Sequence, residues 1–178
     1  MVRSWFGEFK NLGSLTTAGM LTALAVALKL FAVFRAPVAG TLVQFEPHVI
    51  IIALCGMLFG PVMGGIVGLL SDIVTIPFTV NPIPHFAVNY FLIGFIFGLI
   101  VYKKVTVERI LIAQTVNTLV VTFFLTGLWF KVVYMQETSV IITGRLVKCA
   151  IAFPAELWLL IILAKSLVVI YNKNFRKR

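Results

Sequence analysis

Apolar residues occur in long runs along this chain, and short polar segments separate the runs. Several runs approach about 20 residues, the length of an α-helix that crosses the hydrocarbon core of a bilayer. Because the polar segments are too short to fold on their own, we expect residues 1–178 to form a single six-helix transmembrane domain. The pattern predicts an all-α integral membrane protein with spans at about 14–34, 45–59, 61–78, 85–102, 109–130 and 140–170.

The composition agrees with this pattern. Hydrophobic residues make up 61% of the chain and charged residues 12%, whereas charged residues are about 25% of a typical soluble domain. A soluble fold is therefore excluded, and we expect the protein to lie in the cell membrane.

Basic residues are distributed unevenly between the predicted loops. Nine lie before the first span, between the fourth and fifth spans or in the C-terminal tail, whereas only Arg35 and Lys131 lie in loops on the opposite side. Cytoplasmic loops of membrane proteins carry an excess of Lys and Arg. We therefore expect both termini to be cytoplasmic. The net charge of +9 then reflects topology and not nucleic-acid binding.

Glycines recur every four residues in the stretch GMLFGPVMGGIVGLLSD, which covers residues 56–72. This spacing places small side chains on one stripe of a helix, where they permit close contact between helix backbones. Pro61 suits the first turn of a helix, so a tight turn is expected between spans two and three. The stripe predicts internal packing, and Gly94 and Gly98 extend the same pattern to span four.

The first span carries a second set of small residues at helical spacing, Gly19, Ala23 and Ala27. Two interpretations remain open for this stripe. It either packs inside the bundle or forms a smooth surface on which another membrane protein docks.

Ionisable residues inside the apolar spans are the strongest functional signal. Lys29 lies in the outer half of span one, Arg35 lies at its outer end, and Arg145 and Lys148 share one face of the outer half of span six. A charge in hydrocarbon costs at least about 2.5 kcal/mol. Such residues persist when they face the bundle interior and meet a partner, a ligand or water.

Other polar residues are expected at a similar depth, namely Asp72, His85 and Asn89, with Asn117 deeper in span five. One interpretation is that these groups form internal salt bridges, for example between Asp72, or Glu46 at the start of span two, and one of the bases. The other is that they line an outward-facing cavity with a basic excess. Such a cavity would suit a small anionic solute.

Catalytic signatures are absent from the chain. It contains neither the G-x-x-x-x-G-K-[ST] loop of P-loop ATPases nor an H-E-x-x-H or G-x-S-x-G motif. We therefore predict no catalytic residue, no metal site and no cofactor. A membrane enzyme is disfavoured, and a non-catalytic assembly protein is an alternative that leaves the outer-half charges unexplained.

Four segments together resemble the substrate-binding (S) components of energy-coupling factor (ECF) vitamin transporters of bacteria, and the folate family most of all. Residues 56–72 fit the form G-x-L-F-G-P-x-x-G-x-x-x-G-x-x-x-D, and Asn117-Thr118-Leu119 stands in span five. The segment GRLVKCAIAFP at 144–154 fits the form R-x-x-K-x-x-x-x-x-P. Ala23-x-x-x-Ala27 is similar to the alanine motif by which S components contact their scaffold.

The resemblance implies a six-helix subunit that binds a vitamin at its outer face. It also implies a shared transmembrane scaffold subunit and two ATPase subunits as partners. Folate is the implied ligand, and pantothenate, pyridoxine or hydroxymethylpyrimidine are the alternatives. For folate, we expect Asn89 or Asn117, with aromatic residues, at the pterin ring. We expect Lys29, Arg35, Arg145 or Lys148 at the carboxylates.

Overall fold

The computed structural model describes residues 11–33, 46–78, 86–102, 104–134, 146, 149–150 and 152–166. All regular structure in these ranges is helical. The helices are α1 (Leu12–Val33), α2 (Pro47–Phe59), α3 (Pro61–Thr75), α4 (Phe86–Val101), α5 (Val107–Asn117), α6 (Thr126–Tyr134) and α7 (152–166).

Each predicted span contains at least one of these helices, and the α-helical fold class is confirmed. A 3-10 turn, Ile76–Phe78, extends α3 to the predicted end of span three. The fifth span holds α5 and α6, which are joined through a π-helix at Thr118–Leu125. The number of membrane crossings, the cytoplasmic termini and the single domain over 1–178 stay predictions. Residues 80–84, between the third and fourth predicted spans, lie outside the described residues.

The turn between α2 and α3 is a single residue, Gly60. Its φ of 96° lies in the region that favours glycine. Pro61 follows as the first residue of α3, where its fixed φ suits a helix start and its missing N–H costs nothing. The predicted tight turn is therefore confirmed.

The glycine stripes pack helices α2, α3 and α4 against one another. A Cβ atom added to Gly56 or Gly64 would overlap the backbone of Gly94, and one added to Gly98 would overlap Pro61. Gly68 is equally close to the backbone of Tyr90. The three helices thus approach at backbone distance, as the four-residue spacing predicts.

Helix α2 lies at the centre of the bundle, since nearly all of its residues are buried. A helix that is apolar on every side fits a position surrounded by other helices. Its Ile52 and Leu54 share one core cluster with Phe97 of α4, Ile110 of α5 and Leu160 of α7.

The outer surface of the described helices is apolar. Large side chains such as Leu12, Phe31, Phe124 and Trp158 are more than half exposed, which fits a surface that faces lipid. Three described segments are long and apolar enough to cross a membrane: Leu12–Phe31, Pro61–Phe78 and Val107–Trp129. Helices Pro47–Phe59 and Ala87–Val101 are apolar but shorter.

The glycine contacts predict a position-specific cost of adding one methyl group. We expect Gly94→Ala to lower the free energy of unfolding by about 1–3 kcal/mol, because the new Cβ forces two helix backbones apart. Thermal unfolding in detergent measures this effect. Gly127→Ala is the matched control, since a Cβ there meets nothing within 4 Å. Equal stability of the two variants would contradict the packing described here.

Candidate functional site

Lys29 of α1 forms an ion pair with Asp72 of α3. The two side chains are 14% and 6% exposed, so both charges are largely removed from solvent. A buried carboxylate or ammonium is strongly destabilising unless it is paired. The pair explains why α3, which is apolar and rich in glycine, carries an aspartate. It agrees with the salt-bridge interpretation of the sequence.

Tyr90 of α4 extends this pair into a network. The Lys29 ammonium lies 4.5 Å from the centroid of the Tyr90 ring, a cation–π distance. The Tyr90 hydroxyl donates a hydrogen bond to Oε2 of Glu46 at 3.2 Å. The ring of His48 meets the Tyr90 ring edge-on, with centroids 4.9 Å apart. The network therefore connects α1 and α3 with the start of α2.

Asn89, the residue before Tyr90 on α4, forms hydrogen bonds within the protein. Its Nδ2 donates to Oγ1 of Thr126 at 3.0 Å, and its Oδ1 accepts from Nε1 of Trp129 at 3.1 Å. Oγ1 of Thr126 in turn donates to the carbonyl of Val121 at 2.7 Å. These bonds tie α4 to α6 across the π-helix.

Polar groups of α5 and α7 contact each other. Nε2 of Gln114 donates to Oε2 of Glu156 at 2.9 Å. Asn117 lies one turn further along α5 and is 4% exposed. Among the described residues, its Oδ1 has no hydrogen-bond partner, which is rare for a buried side-chain oxygen.

A cavity opens between α2, α4, the α5–π-helix junction and α7. The space that the centre of a water molecule can reach within it is about 50 Å³. The polar residues that line it include Glu46, Asn117, Thr118, Thr122 and Glu156, and Phe153 adds an aromatic face. Two lining side chains are acidic, and none of the described lining residues is basic.

The π-helix explains why this cavity forms beside α5. A π-helical stretch widens the helix and shifts the side chains that follow it, and such stretches occur often at functional sites. Asn117 precedes the π-helix, Thr118 begins it and Thr122 lies in its middle, and all three line the cavity. The helix irregularity and the cavity thus coincide.

The predicted site residues lie in different places in the structure. Lys29 and Asp72 bind each other, Asn117 lines the cavity, and Asn89 is bonded to α6. The small residues Gly19, Ala23 and Ala27 are exposed on α1. Arg35, His85, Arg145 and Lys148 lie outside the described residues, so the predicted basic excess stays a prediction.

Two cavity residues, Glu46 and Glu156, were not among the predicted site residues. The sequence carried a signal for both, because an ionisable residue within a membrane span is a functional candidate by default. Glu156 lies inside the last predicted span and Glu46 at the start of the second. Tyr90 is one of the aromatic residues near the outer loops that could be expected to stack on a flat ring. In the structure its ring lies beside the Lys29 ammonium, and its hydroxyl donates to Glu46.

Known proteins resemble this chain over most of its length. Residues 13–172 match the family described as "ECF transporter, substrate-specific component". The folate transporter FolT of Clostridium novyi (strain NT) is 35% identical over 106 residues, which cover 58% of this chain and 62% of that relative. The aligned region thus spans less than two thirds of the relative's length.

A solved structure matches a larger share of this chain. The crystal structure of FolT bound with folic acid superposes with a TM-score of 0.75 and 28% sequence identity. The match covers 88% of this chain and 95% of that one. The arrangement of helices in the present structure is therefore that of FolT.

The Lys29–Asp72 pair predicts strongly non-additive effects on stability. We expect Lys29→Met and Asp72→Asn each to lower the free energy of unfolding by about 3–5 kcal/mol, because each leaves one buried charge without its partner. The double variant should recover most of the loss. Unfolding of the four proteins in detergent measures the coupling. Losses that simply add in the double variant would show that the two side chains act independently.

Proposed function

Because this chain belongs to the ECF transporter substrate-specific component family, we propose that it binds folate and presents it to an ATP-driven importer. The observation that carries the proposal is the match to FolT bound with folic acid over 88% of the chain. The similarity to the folate transporter of Clostridium novyi supports the same ligand. The cell membrane as its location and a cavity that faces outward belong to this proposal.

The proposed ligand has two chemically different ends. Its pterin ring is flat and carries hydrogen-bonding groups along its edge, and its glutamate tail is anionic. We assign the ring to Asn117 and the carboxylates to Arg35, Arg145 and Lys148, since a carboxylate requires cationic donors. Lys29 is paired with Asp72, so we now assign it to the stability of the bundle.

The sequence contains no P-loop, so we propose that other subunits hydrolyse the ATP that drives transport. We propose a transmembrane scaffold subunit and two ATPase subunits as partners. Helix α1 offers a surface for the scaffold. Gly19, Ala23 and Ala27 are all exposed, and a Cβ at Gly19 would meet nothing within 4 Å. The stripe therefore does not serve the packing of the described helices, and its smoothness suits close contact with another helix.

Folate binding is the direct test. We expect the purified protein to bind folate at a ratio of about 1:1 with a change in tryptophan fluorescence. Trp129 donates a hydrogen bond to Asn89, one of the predicted site residues, so we expect its fluorescence to respond to a ligand bound there. Arg145→Ala and Lys148→Ala should each weaken binding about tenfold or more, the cost of losing one charge-assisted hydrogen bond.

Lys165→Ala is the matched control for these variants, since Lys165 is an exposed base on α7. It should leave the affinity unchanged. Failure of folate to bind would refute the proposed ligand, and binding of pantothenate, pyridoxine or hydroxymethylpyrimidine in its place would identify another member of the family. Unchanged affinity in both Arg145→Ala and Lys148→Ala would place the carboxylates elsewhere.

The docking surface has its own test. We expect Ala23→Leu and Ala27→Leu to reduce co-isolation of the scaffold and ATPase subunits from native membranes, because a leucine side chain separates two helices that need close contact. Folate affinity should remain. Ala155→Leu is the control, as Ala155 is an exposed alanine on α7, outside the stripe. If all three variants recover equal amounts of ATPase, the scaffold does not contact this stripe.

A further inference from the structure

A chain of hydrogen bonds runs from α4 into the π-helix of the fifth predicted span. The indole N–H of Trp129 donates to Oδ1 of Asn89, and Nδ2 of Asn89 donates to Oγ1 of Thr126. The Thr126 hydroxyl and the Thr126 backbone N–H both donate to the carbonyl of Val121. The chain therefore ends on the i→i−5 hydrogen bond that is characteristic of a π-helix.

The bond between Asn89 and Thr126 is buried. Asn89 is 3% exposed and Thr126 is 7% exposed. Breaking such a bond is costly, because each buried group loses a partner that water does not replace. Neither side chain is among the described residues that line the cavity. An effect of this bond on a ligand in the cavity must therefore pass through the helix.

The π-helix decides which side of the fifth span faces the bundle. Thr126 follows Asn117 by nine residues, and an α-helix of about 3.6 residues per turn would place the two on opposite sides. Asn117 is 4% exposed and Thr126 is 7% exposed, so both are nevertheless buried. The wider turns of the π-helix lie between them and bring both toward the interior. An α-helical register would turn one of them outward.

The same π-helix carries residues that line the cavity, Thr118 and Thr122, and Asn117 comes directly before it. Its register sets the directions of these side chains relative to Thr126. With 8 residues, it is longer than the single-turn π-bulges that are usual. The bond to α4 supplies a contact outside the helix that favours this register over the α-helical one.

We propose that Asn89 is a positioning residue, which fixes the π-helical register through Thr126 and so keeps the cavity wall in its binding geometry. Without the bond, residues 118–125 adopt an α-helical register for part of the time, and the lining side chains turn away. Ligand affinity then falls although no contact with the ligand has been removed. The effect on a ligand rests on the proposed function, whereas the fixed register is a property of the protein alone.

Hydrogen–deuterium exchange in the ligand-free protein tests the register. Thr126→Val removes the hydroxyl and keeps the shape of the side chain. Backbone amides of residues 118–126 should then exchange about tenfold faster relative to those of α2 and α3. A general loss of stability would instead raise all these rates by a similar factor. Thr126→Ser keeps a hydroxyl and should restore slow exchange.

Thr115→Val is the matched control on the same predicted span. Thr115 also donates to a backbone carbonyl, that of Leu111, but it is exposed. The control removes the same hydroxyl group without touching the contact with α4. Exchange at residues 118–126 should therefore stay as slow as in the unaltered protein.

Folate affinity tests the consequence for the cavity. Thr126→Val should raise the dissociation constant about tenfold, whereas Thr126→Ser and Thr115→Val should leave it within about twofold. Asn89→Leu removes the same bond from the side of α4. It should produce both changes as well, and it replaces Thr126→Val in the comparison if that variant does not fold. The double variant should be little worse than either single one, since all three lack one shared bond.

The outcomes separate this inference from the proposed function. If folate does not bind to the unaltered protein, folate is refuted as the ligand, and exchange in the ligand-free proteins still decides whether the bond fixes the register. Unchanged exchange at residues 118–126 in Thr126→Val and Asn89→Leu overturns the proposal, whatever the affinity. Faster local exchange with unchanged folate affinity overturns the link to the cavity. Faster exchange and weaker binding, both restored in Thr126→Ser, support the proposal.

Discussion

The bundle depends on the compensation of charge within an apolar interior. Lys29 and Asp72 stand on different helices, and neither ion is tolerated at low exposure without the other. Their pairing fixes α1 against α3 and places the Lys29 ammonium over the ring of Tyr90. Through the Tyr90 hydroxyl the same network positions Glu46, which lines the cavity. A contact that neutralises two charges therefore also orients one wall of the candidate site.

Close packing of α2, α3 and α4 is the condition for this network. Gly68 touches the backbone of Tyr90, and Gly64 touches that of Gly94, so side chains of any size at these positions would separate α3 from α4. Asp72 lies one turn beyond Gly68 on α3. The glycine stripe thus brings Asp72 and Tyr90 to the same side of α1. The four-residue spacing of the glycines therefore contributes both to the packing of the helices and to the positions of the side chains in this network.

Local chemistry made part of this arrangement predictable from the sequence. Gly60 and Pro61 define the turn by backbone preferences alone, and the glycine stripe predicts which helices meet at backbone distance. The sequence limits the partner of Lys29 to a few carboxylates but does not identify it. A lysine side chain is long enough to reach several neighbouring helices, and packing sets how each helix is rotated. The π-helix after Asn117 has no sequence signal of its own. Glu46 and Glu156 are recognisable in the sequence as ionisable residues at or within a span. That they line one cavity depends on the relative rotation of several helices, which the sequence does not specify.

The charge of the described cavity lining bears on which of the family's vitamins fits the site. A basic pocket would suit any small anion, and pantothenate would satisfy it as well as folate. The described lining instead offers acceptor side chains at Asn117, Glu46 and Glu156, which suit a ligand that carries N–H donors. Pantothenate has no ring, and pyridoxine presents hydroxyl groups, whereas folate and hydroxymethylpyrimidine both carry an amino group on a pyrimidine ring. Of these last two, folate also carries carboxylates, the groups to which we propose that Arg145 and Lys148 bind. The acceptors of the described lining, together with the proposed role of the basic residues, therefore favour a ligand with a donor-rich ring and an anionic tail.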